Sequence, residues 1–233
     1  MHKYKHTIVA LLLSLCAGPT LADREPVLKQ IDVPHNYYFR EMYLPQLTSG
    51  PSSLAWSPDG KSLIYSMQGS LWHQDIESGV ARQLTAGPGY DYQPDWSPDS
   101  KQIAMVSTRL SPILKIFVMP ALGEIDPAGG RAREFSRGQD FAYNQPRFSP
   151  DGDFLMYKKS IPFSASSLPD LVGSSMDDFG RTDSIITTSQ KNGPMNEADY
   201  SPDGKWIVYE GWPNGDHHIY IMTDIGSAVR QVT

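Results

Sequence analysis

A short motif that recurs four times constrains this chain more than any other feature. Ser-Pro-Asp begins at positions 57, 97, 149 and 201, so the spacings are 40, 52 and 52 residues. Each copy follows an aromatic residue and precedes an apolar run, as in LAWSPDGKSLIYS and ADYSPDGKWIVYEG. A repeat of this length indicates that the chain is built from similar structural units placed side by side.

The motif has the chemistry of a tight turn between two antiparallel strands. Proline presets φ at the first central position, aspartate accepts hydrogen bonds from nearby backbone N–H groups, and glycine tolerates positive φ. The second copy has Ser100 in place of the glycine. This replacement predicts either a different turn type or mild strain at that position.

Three of the units continue with two more strand-like segments. They are Ser70 to Trp72 with Arg82 to Thr85, Lys115 to Met119 with Arg131 to Phe135, and His218 to Met222 with Arg230 to Thr233. In the third unit we expect 161–181 to be a surface-loop insertion, after which Thr182 to Ser189 resumes a strand. Four short strands per unit are typical of a β-propeller blade. The sequence therefore predicts an all-β propeller of four-stranded antiparallel blades.

These units resemble the TolB-like, WD40-like β-propeller repeats, in which an aromatic-SPDGK turn precedes two apolar strands and an ending in threonine. The resemblance covers 47–233, with blades at about 52–85, 90–136, 141–190 and 195–233. Propellers generally close with four to eight blades, and members of this family have six or more, so four blades predict an incomplete ring. Three explanations stay open: a small ring closed with an N-terminal strand, an oligomer that completes the ring, or truncation of a longer protein.

The first 22 residues are typical of a secretory signal peptide. A basic start is followed by an apolar run from Ile8 to Leu15, and the segment Thr20-Leu21-Ala22 offers a cleavage site. The apolar run is shorter than the roughly 20 residues that span a bilayer, so we expect no stable membrane span after cleavage. Residues 23–46 are predicted to form a lead-in strand, similar to that of propellers attached to periplasmic amidohydrolases. A periplasmic or secreted location follows from these expectations.

Cleavage would also remove Cys16, the only cysteine, and lower the formal net charge from −6 to −8. A chain without thiols forms no disulfides and no cysteine metal sites. An acidic surface does not suit phosphate backbones, so no nucleic-acid partner is expected. The sequence also lacks a nucleophile elbow, an HExxH motif and a phosphate-binding glycine loop. We therefore predict no catalytic residue, no metal site and no cofactor.

Polar residues recur at one offset before each inner strand, where a propeller faces its central axis. The pairs at this offset are Ser52 and Ser53, Tyr92 and Gln93, Asn144 and Gln145, and Asn196 and Glu197. We take Tyr92, Gln93, Asn144, Gln145, Asn196 and Glu197 as a candidate binding site at the mouth of the channel. The alternative is that these polar groups only hydrate the axis.

Together these features favour a non-enzymatic binding or scaffold module for a protein or peptide ligand, including an envelope protein. The family resemblance also implies an alternative. In that alternative the chain is the substrate-gating propeller of a periplasmic amidohydrolase or serine peptidase, whose catalytic domain is absent from this chain. Fold alone does not decide between the two functions.

Overall fold

Sixteen strands in four separate antiparallel sheets make up the described part of the chain. The structure is a computed structural model that describes residues 51–87, 89–121, 131–164 and 168–233. The predicted signal peptide and lead-in strand lie outside these residues. In every sheet each strand pairs with the next one along the chain, so the sheets are four-stranded meanders.

The four sheets, or blades, follow one another along the chain. The first blade contains β1 (Ser52–Trp56), β2 (Ser62–Met67), β3 (Ser70–Asp75) and β4 (Ala81–Gln83). The second contains β5 (Asp91–Trp96), β6 (Gln102–Ser107), β7 (Lys115–Pro120) and β8 (Arg133–Glu134). The third contains β9 (Ala142–Phe148), β10 (Phe154–Ser160), β11 (Asp170–Ser175) and β12 (Ser184–Thr187). A short helix, α1 (Ser189–Asn192), leads to the fourth, with β13 (Met195–Tyr200), β14 (Trp206–Gly211), β15 (His218–Thr223) and β16 (Arg230–Gln231).

The blades are arranged as a four-bladed β-propeller, as the sequence predicts, and hydrogen bonds do not close the ring. The first strand of each blade, namely β1, β5, β9 and β13, contacts the first strand of the neighbouring blade. These are therefore the inner strands, and the fourth strand of each blade is the outer one. Since each pair of blades shares one apolar layer, a blade depends on its neighbour to cover its face.

The Ser-Pro-Asp turns join each inner strand to the second strand, and all four have the same hydrogen bonds. In the first turn, the Ser57 hydroxyl donates to Asp59 Oδ1 at 2.6 Å. Asp59 Oδ1 also accepts from the backbone N–H of Lys61, and Ser57 Oγ accepts from that of Ser62. The equivalent bonds occur in the turns that begin at Ser97, Ser149 and Ser201. The serine hydroxyl in each turn lowers the pKa of its aspartate below the usual value.

Ser100 adopts the same turn conformation as the glycines at the equivalent position of the other three turns. Its φ of 61° lies beside 70° for Gly60 and 80° for Gly152. Its backbone N–H donates to the carbonyl of Ser97, as the glycine N–H does in the other turns. The turn type is therefore unchanged, and mild backbone strain is the correct alternative.

Three apolar clusters fill the three junctions between successive blades. Ile64 and Leu71 of the first blade pack with Trp96, Ile103 and Phe117 of the second. The second cluster joins the second and third blades, and the third joins the third and fourth. Successive side chains of a strand point to opposite faces of the sheet, so they belong to different clusters.

The expectation that 161–181 is a surface-loop insertion was wrong, because β11 lies within it. Leu171 and Val172 are buried on opposite faces of the third blade and belong to different clusters. Gly173 lies against the Phe154 ring, where an added Cβ would come within 2.6 Å of the ring carbon Cε1. This close approach requires the absence of a side chain. Gly173 and the serines beside it have low strand propensity, so the sequence alone does not indicate a strand here.

No helix in the described segments is long and apolar enough to cross a membrane. The described helix α1 has four residues and connects the third and fourth blades.

The strain at Ser100 leads to a stability prediction. We expect Ser100→Gly to raise the free energy of unfolding by about 1 kcal/mol, because glycine adopts positive φ without the steric cost of a Cβ. The matched reverse change, Gly60→Ser, should lower the free energy of unfolding by about the same amount. A Cβ at Gly60 meets no atom within 4 Å, so the cost comes from the positive φ and not from a clash. Urea denaturation with an unchanged m-value measures both effects. Equal stability of Ser100→Gly and wild type would contradict the strain.

Candidate functional site

A β-bulge interrupts the inner strand of every blade at the same offset. The residue at each bulge has positive φ and is not a glycine: the angles are 35° at Ser53, 49° at Gln93, 54° at Gln145 and 47° at Glu197. The pairing of each inner strand with the second strand shifts register there. A bulge redirects the side chain of its extra residue. Because all four strained residues lie at one level of the axis, we expect their side chains to have a structural or binding role there.

That role is visible in hydrogen bonds that pass from one blade to the next. The backbone N–H of Gln93 donates to Ser53 Oγ at 2.9 Å. The N–H of Gln145 donates to Gln93 Oε1 at 2.9 Å, and that of Glu197 donates to Gln145 Oε1 at 3.2 Å. The bulge side chains of the first three blades thus each accept the bulge N–H of the following blade. We call this series the axial chain.

The last link of the axial chain is reinforced by side chains. The amide nitrogen of Gln145 donates to Asn196 Oδ1 at 2.9 Å and to Glu197 Oε1 at 2.8 Å. Gln145 is buried and uses both ends of its amide between the third and fourth blades. Bonds to an ionised acceptor are stronger than neutral ones, so this link is expected to be the firmest of the three.

A buried lysine adds a positive charge beside these amides. Lys158 Nζ donates to Asn196 Oδ1 at 2.6 Å, and burial lowers the Lys158 pKa to about 8. Glu197 and Glu210 oppose this shift. Asn144 lies opposite Lys158 in the β9–β10 ladder, and its Oδ1 is buried without a hydrogen-bond partner among the described residues. The two residues are cross-strand neighbours, so an unsatisfied acceptor and an ammonium donor occur at paired positions of the sheet, where the first can receive an N–H and the second can donate to a carbonyl.

The structure brings five of the six predicted site residues into this arrangement. Gln93, Gln145 and Glu197 form the axial chain, Asn196 bridges Gln145 and Lys158, and Asn144 lies beside them. Tyr92 is the sixth. It precedes the bulge in β5, pairs with Val106, and has a pKa raised by burial.

A second layer of charged residues lies two positions further along the inner strands. It consists of Asp95, Arg147 and Asp199, with Ala55 at the equivalent position in the first blade. Asp95 Oδ2 accepts the backbone N–H of Phe148 at 2.7 Å, which is another bond between blades. Burial raises the Asp95 pKa to about 7, although the positive charge of Arg147 acts in the opposite direction.

Sequence reasoning missed this layer and missed Lys158. Asp95, Arg147 and Asp199 all occur two residues before the serine of a Ser-Pro-Asp turn, so their shared offset was a usable signal. Lys158 gave no such signal, because a lysine in a strand normally points to solvent.

Among the described residues, no three His, Cys, Asp or Glu side chains lie close enough together to hold a metal ion. His217 instead bonds Glu210 at 2.7 Å and stacks on Trp212.

No family model matches the chain. An uncharacterised protein of Agrobacterium fabrum is 32% identical over 164 residues, which are 66% of this chain and 52% of that protein. An uncharacterised peptidase of Bacillus subtilis, YuxL, is 24% identical over 214 residues, which are 72% of this chain and 31% of the peptidase. The chain therefore spans about half, or less, of the length of these curated relatives.

Solved TolB structures have the same fold. A protein assigned as TolB from Agrobacterium tumefaciens superposes with a TM-score of 0.65 at 22% identity, over 78% of this chain and 61% of that one. TolB from Acinetobacter baumannii gives 0.61 at 20% identity, over 78% and 43%. The likeness at this identity concerns the fold. It confirms the TolB-like, WD40-like repeat architecture inferred from the four turns.

The axial chain predicts unequal costs for removing its links. Gln145→Met should lower the free energy of unfolding by about 2 kcal/mol, because the Glu197 N–H then lacks its acceptor in a partly buried place. Ser53→Ala is the matched control: it removes an exposed link of the same chain and should cost under about 1 kcal/mol. Both variants keep a non-glycine residue at positive φ, so strain cancels. Equal losses in chemical denaturation would contradict the burial argument.

The raised Asp95 pKa predicts a pH-dependent effect of Asp95→Asn. Because the folded pKa of about 7 exceeds the unfolded value, this carboxyl contributes stability below about pH 4 that is lost as the pH rises through 7. Asparagine keeps an acceptor for the Phe148 N–H and does not ionise. The variant should therefore gain on wild type as the pH rises from about 4 through 7, by on the order of 4 kcal/mol at pH 8.

The control for this pH effect is Asp99→Asn, in an exposed turn where the aspartate pKa is lowered. A lowered folded pKa gives stability above the unfolded pKa that disappears in acid, so Asp99→Asn should be less stable than wild type at neutral pH and approach it as the pH falls. Denaturant unfolding between pH 3 and pH 8 measures both curves. Parallel curves for Asp95→Asn and wild type would show that Asp95 does not titrate near neutrality.

Proposed function

We propose that this chain is an exported, non-enzymatic propeller module that binds a peptide segment of a protein ligand at the axial mouth. The observation that carries the proposal is the Asn144 Oδ1 on β9, unpartnered among the described residues, at the position that pairs with the buried Lys158 on β10. One side chain can accept a ligand N–H, and the other can donate to a ligand carbonyl. A peptide backbone supplies both groups on neighbouring atoms.

The surrounding residues support a site that is fixed before the ligand arrives. Asn196 is held by two donors, Gln145 Nε2 and Lys158 Nζ, and Gln145 is itself held in the axial chain. Side chains restrained in this way lose little conformational freedom on binding. Glu197 is exposed next to them and adds a negative charge that favours a ligand with a basic group.

The likeness to TolB supports the non-enzymatic assignment as a matter of fold. The match to the Bacillus peptidase covers 31% of that protein, so it supports a shared propeller architecture more than a shared activity. The signal-like residues 1–22 support export, and the axial site proposed here does not depend on them.

A random peptide library displayed on phage, selected against the full chain, tests the proposal. We expect enriched peptides whose affinity falls about tenfold or more for Lys158→Met, because the variant loses a charged donor in a buried place. Lys101→Met is the matched control, since Lys101 is an exposed turn lysine with a side chain 80% accessible. It should bind the same peptides as wild type does.

Two results would overturn the proposed site. One is enrichment of no peptide above the background of an unrelated protein. The other is an equal loss of affinity for Lys158→Met and Lys101→Met, which would indicate nonspecific attraction to surface charge. Circular dichroism of both variants checks that each is folded before binding is compared.

A further inference from the structure

The three internal junctions between blades share two kinds of contact, and the second and third junctions show a further one. Each has an apolar cluster and a link of the axial chain. The third contact joins neighbouring turns: a Cβ added at Gly152 would meet Pro98 at 3.2 Å, and one added at Gly204 would meet Pro150 at 3.8 Å. The proline of one turn thus lies against the glycine position of the next.

Equivalent positions show that the fourth blade carries the same face without a cover. Val208 occupies the position of Ile64, Ala104 and Met156, as its pairing within the blade shows. Those three residues are 0% exposed, whereas Val208 is 37% exposed. Ile219 likewise occupies the position of Leu71, Ile116 and Leu171, and is 38% exposed where they are 0–1%.

The first blade shows the complementary face, also uncovered. Trp56 occupies the position of Trp96 and Phe148, which are each 7% exposed, and is itself 56% exposed. Leu54 lies on the same face, because Leu54 and Trp56 both alternate with Ala55 along β1 and pair with Tyr65 and Leu63. Exposed apolar faces of this kind mark association surfaces.

Among the described residues, the axial chain of hydrogen bonds also lacks a partner at its two ends, in the first and fourth blades. Glu197 accepts a bond from Gln145 through Oε1, and within the described residues no bulge N–H of a following blade reaches its carboxylate. At the other end, Ser53 Oγ accepts the backbone N–H of Gln93, and no described side chain accepts the Ser53 N–H. A Cβ at Gly60 meets nothing within 4 Å, so no proline covers that turn.

We propose that the open face of the fourth blade docks on the open face of the first blade of a second copy of this chain. Val208 and Ile219 then pack against Trp56 and Leu54 of the second copy. The Glu197 carboxylate accepts the N–H of Ser53 of the second copy, which adds a fourth link to the axial chain. Pro202 covers Gly60 of the second copy.

A second copy is the occupant that the described faces favour. Both halves of a junction are present on one chain, in the orientation that the three internal junctions use, with the donor on one half and the acceptor on the other. The association is head to tail, so it produces a closed ring if the rotation closes and a longer assembly if it does not. The same contact forms in both cases, and the experiments address that contact.

Light scattering on the full chain over a range of concentrations gives the first test. We expect an oligomer that dissociates on dilution, and Val208→Asp should raise its dissociation constant about tenfold or more by placing a charge in the apolar contact. Val80→Asp is the matched control, because Val80 is 64% exposed in the turn between β3 and β4, outside the strands that carry the two open faces. A wild-type chain that stays monomeric, or oligomers that both variants leave unchanged, would overturn the proposal.

Disulfide trapping gives a second test, which reports directly which two turns meet; circular dichroism first checks that Gly60→Cys, with its Cβ at positive φ, is folded. An equal mixture of Gly60→Cys and Pro202→Cys chains, one of them tagged, should cross-link between the two variants under mild oxidation. Neither variant alone should cross-link more than wild type, whose only cysteine is Cys16. Cross-links within a single variant would indicate like faces in contact and would overturn the head-to-tail arrangement. A mixture that forms no cross-link would also overturn it, and would indicate that these faces do not pack against a second copy of this chain.

Discussion

The arrangement depends on the fact that a four-stranded sheet cannot bury both of its own faces. Each blade here is stabilised through its neighbours, by apolar side chains at the junction and by one bulge side chain near the axis. The bulge bond is specific, because it joins a side chain of one blade to a backbone N–H of the next. It therefore fixes the level of one blade relative to another, which apolar packing alone does not do.

The candidate site is a consequence of this same requirement. Gln145 and Asn196 are held in place by contacts between blades, and Asn196 in turn accepts a hydrogen bond from the buried Lys158. Burial would be costly for an isolated ammonium group, and its lowered pKa shows that cost. The acceptor at Asn196 and the carboxylates of Glu197 and Glu210 reduce it. Binding groups and structural groups are therefore neighbours in one network and cannot be altered independently.

Much of this could be predicted from the sequence because the turns repeat. Ser-Pro-Asp fixes the position of every inner strand, and the offset from it locates Gln93, Gln145 and Glu197. What the repeat does not determine was missed. The sequence predicts a loop in place of strand β11 because glycine and serine have low strand propensity. Gly173 fits the strand through its close contact with the Phe154 ring, and a sequence pattern does not reveal such packing. Lys158 was missed for a similar reason, since its burial depends on the following blade.

The axial chain has a direction, and this bears on how such repeats change in number over time. Every unit presents an acceptor to the unit after it and a donor to the unit before it. A duplicated or deleted unit would therefore leave both remaining contacts correctly matched, without compensating mutations elsewhere. Gene duplication could lengthen or shorten an array of this kind one blade at a time, while the chemistry at each boundary stayed the same.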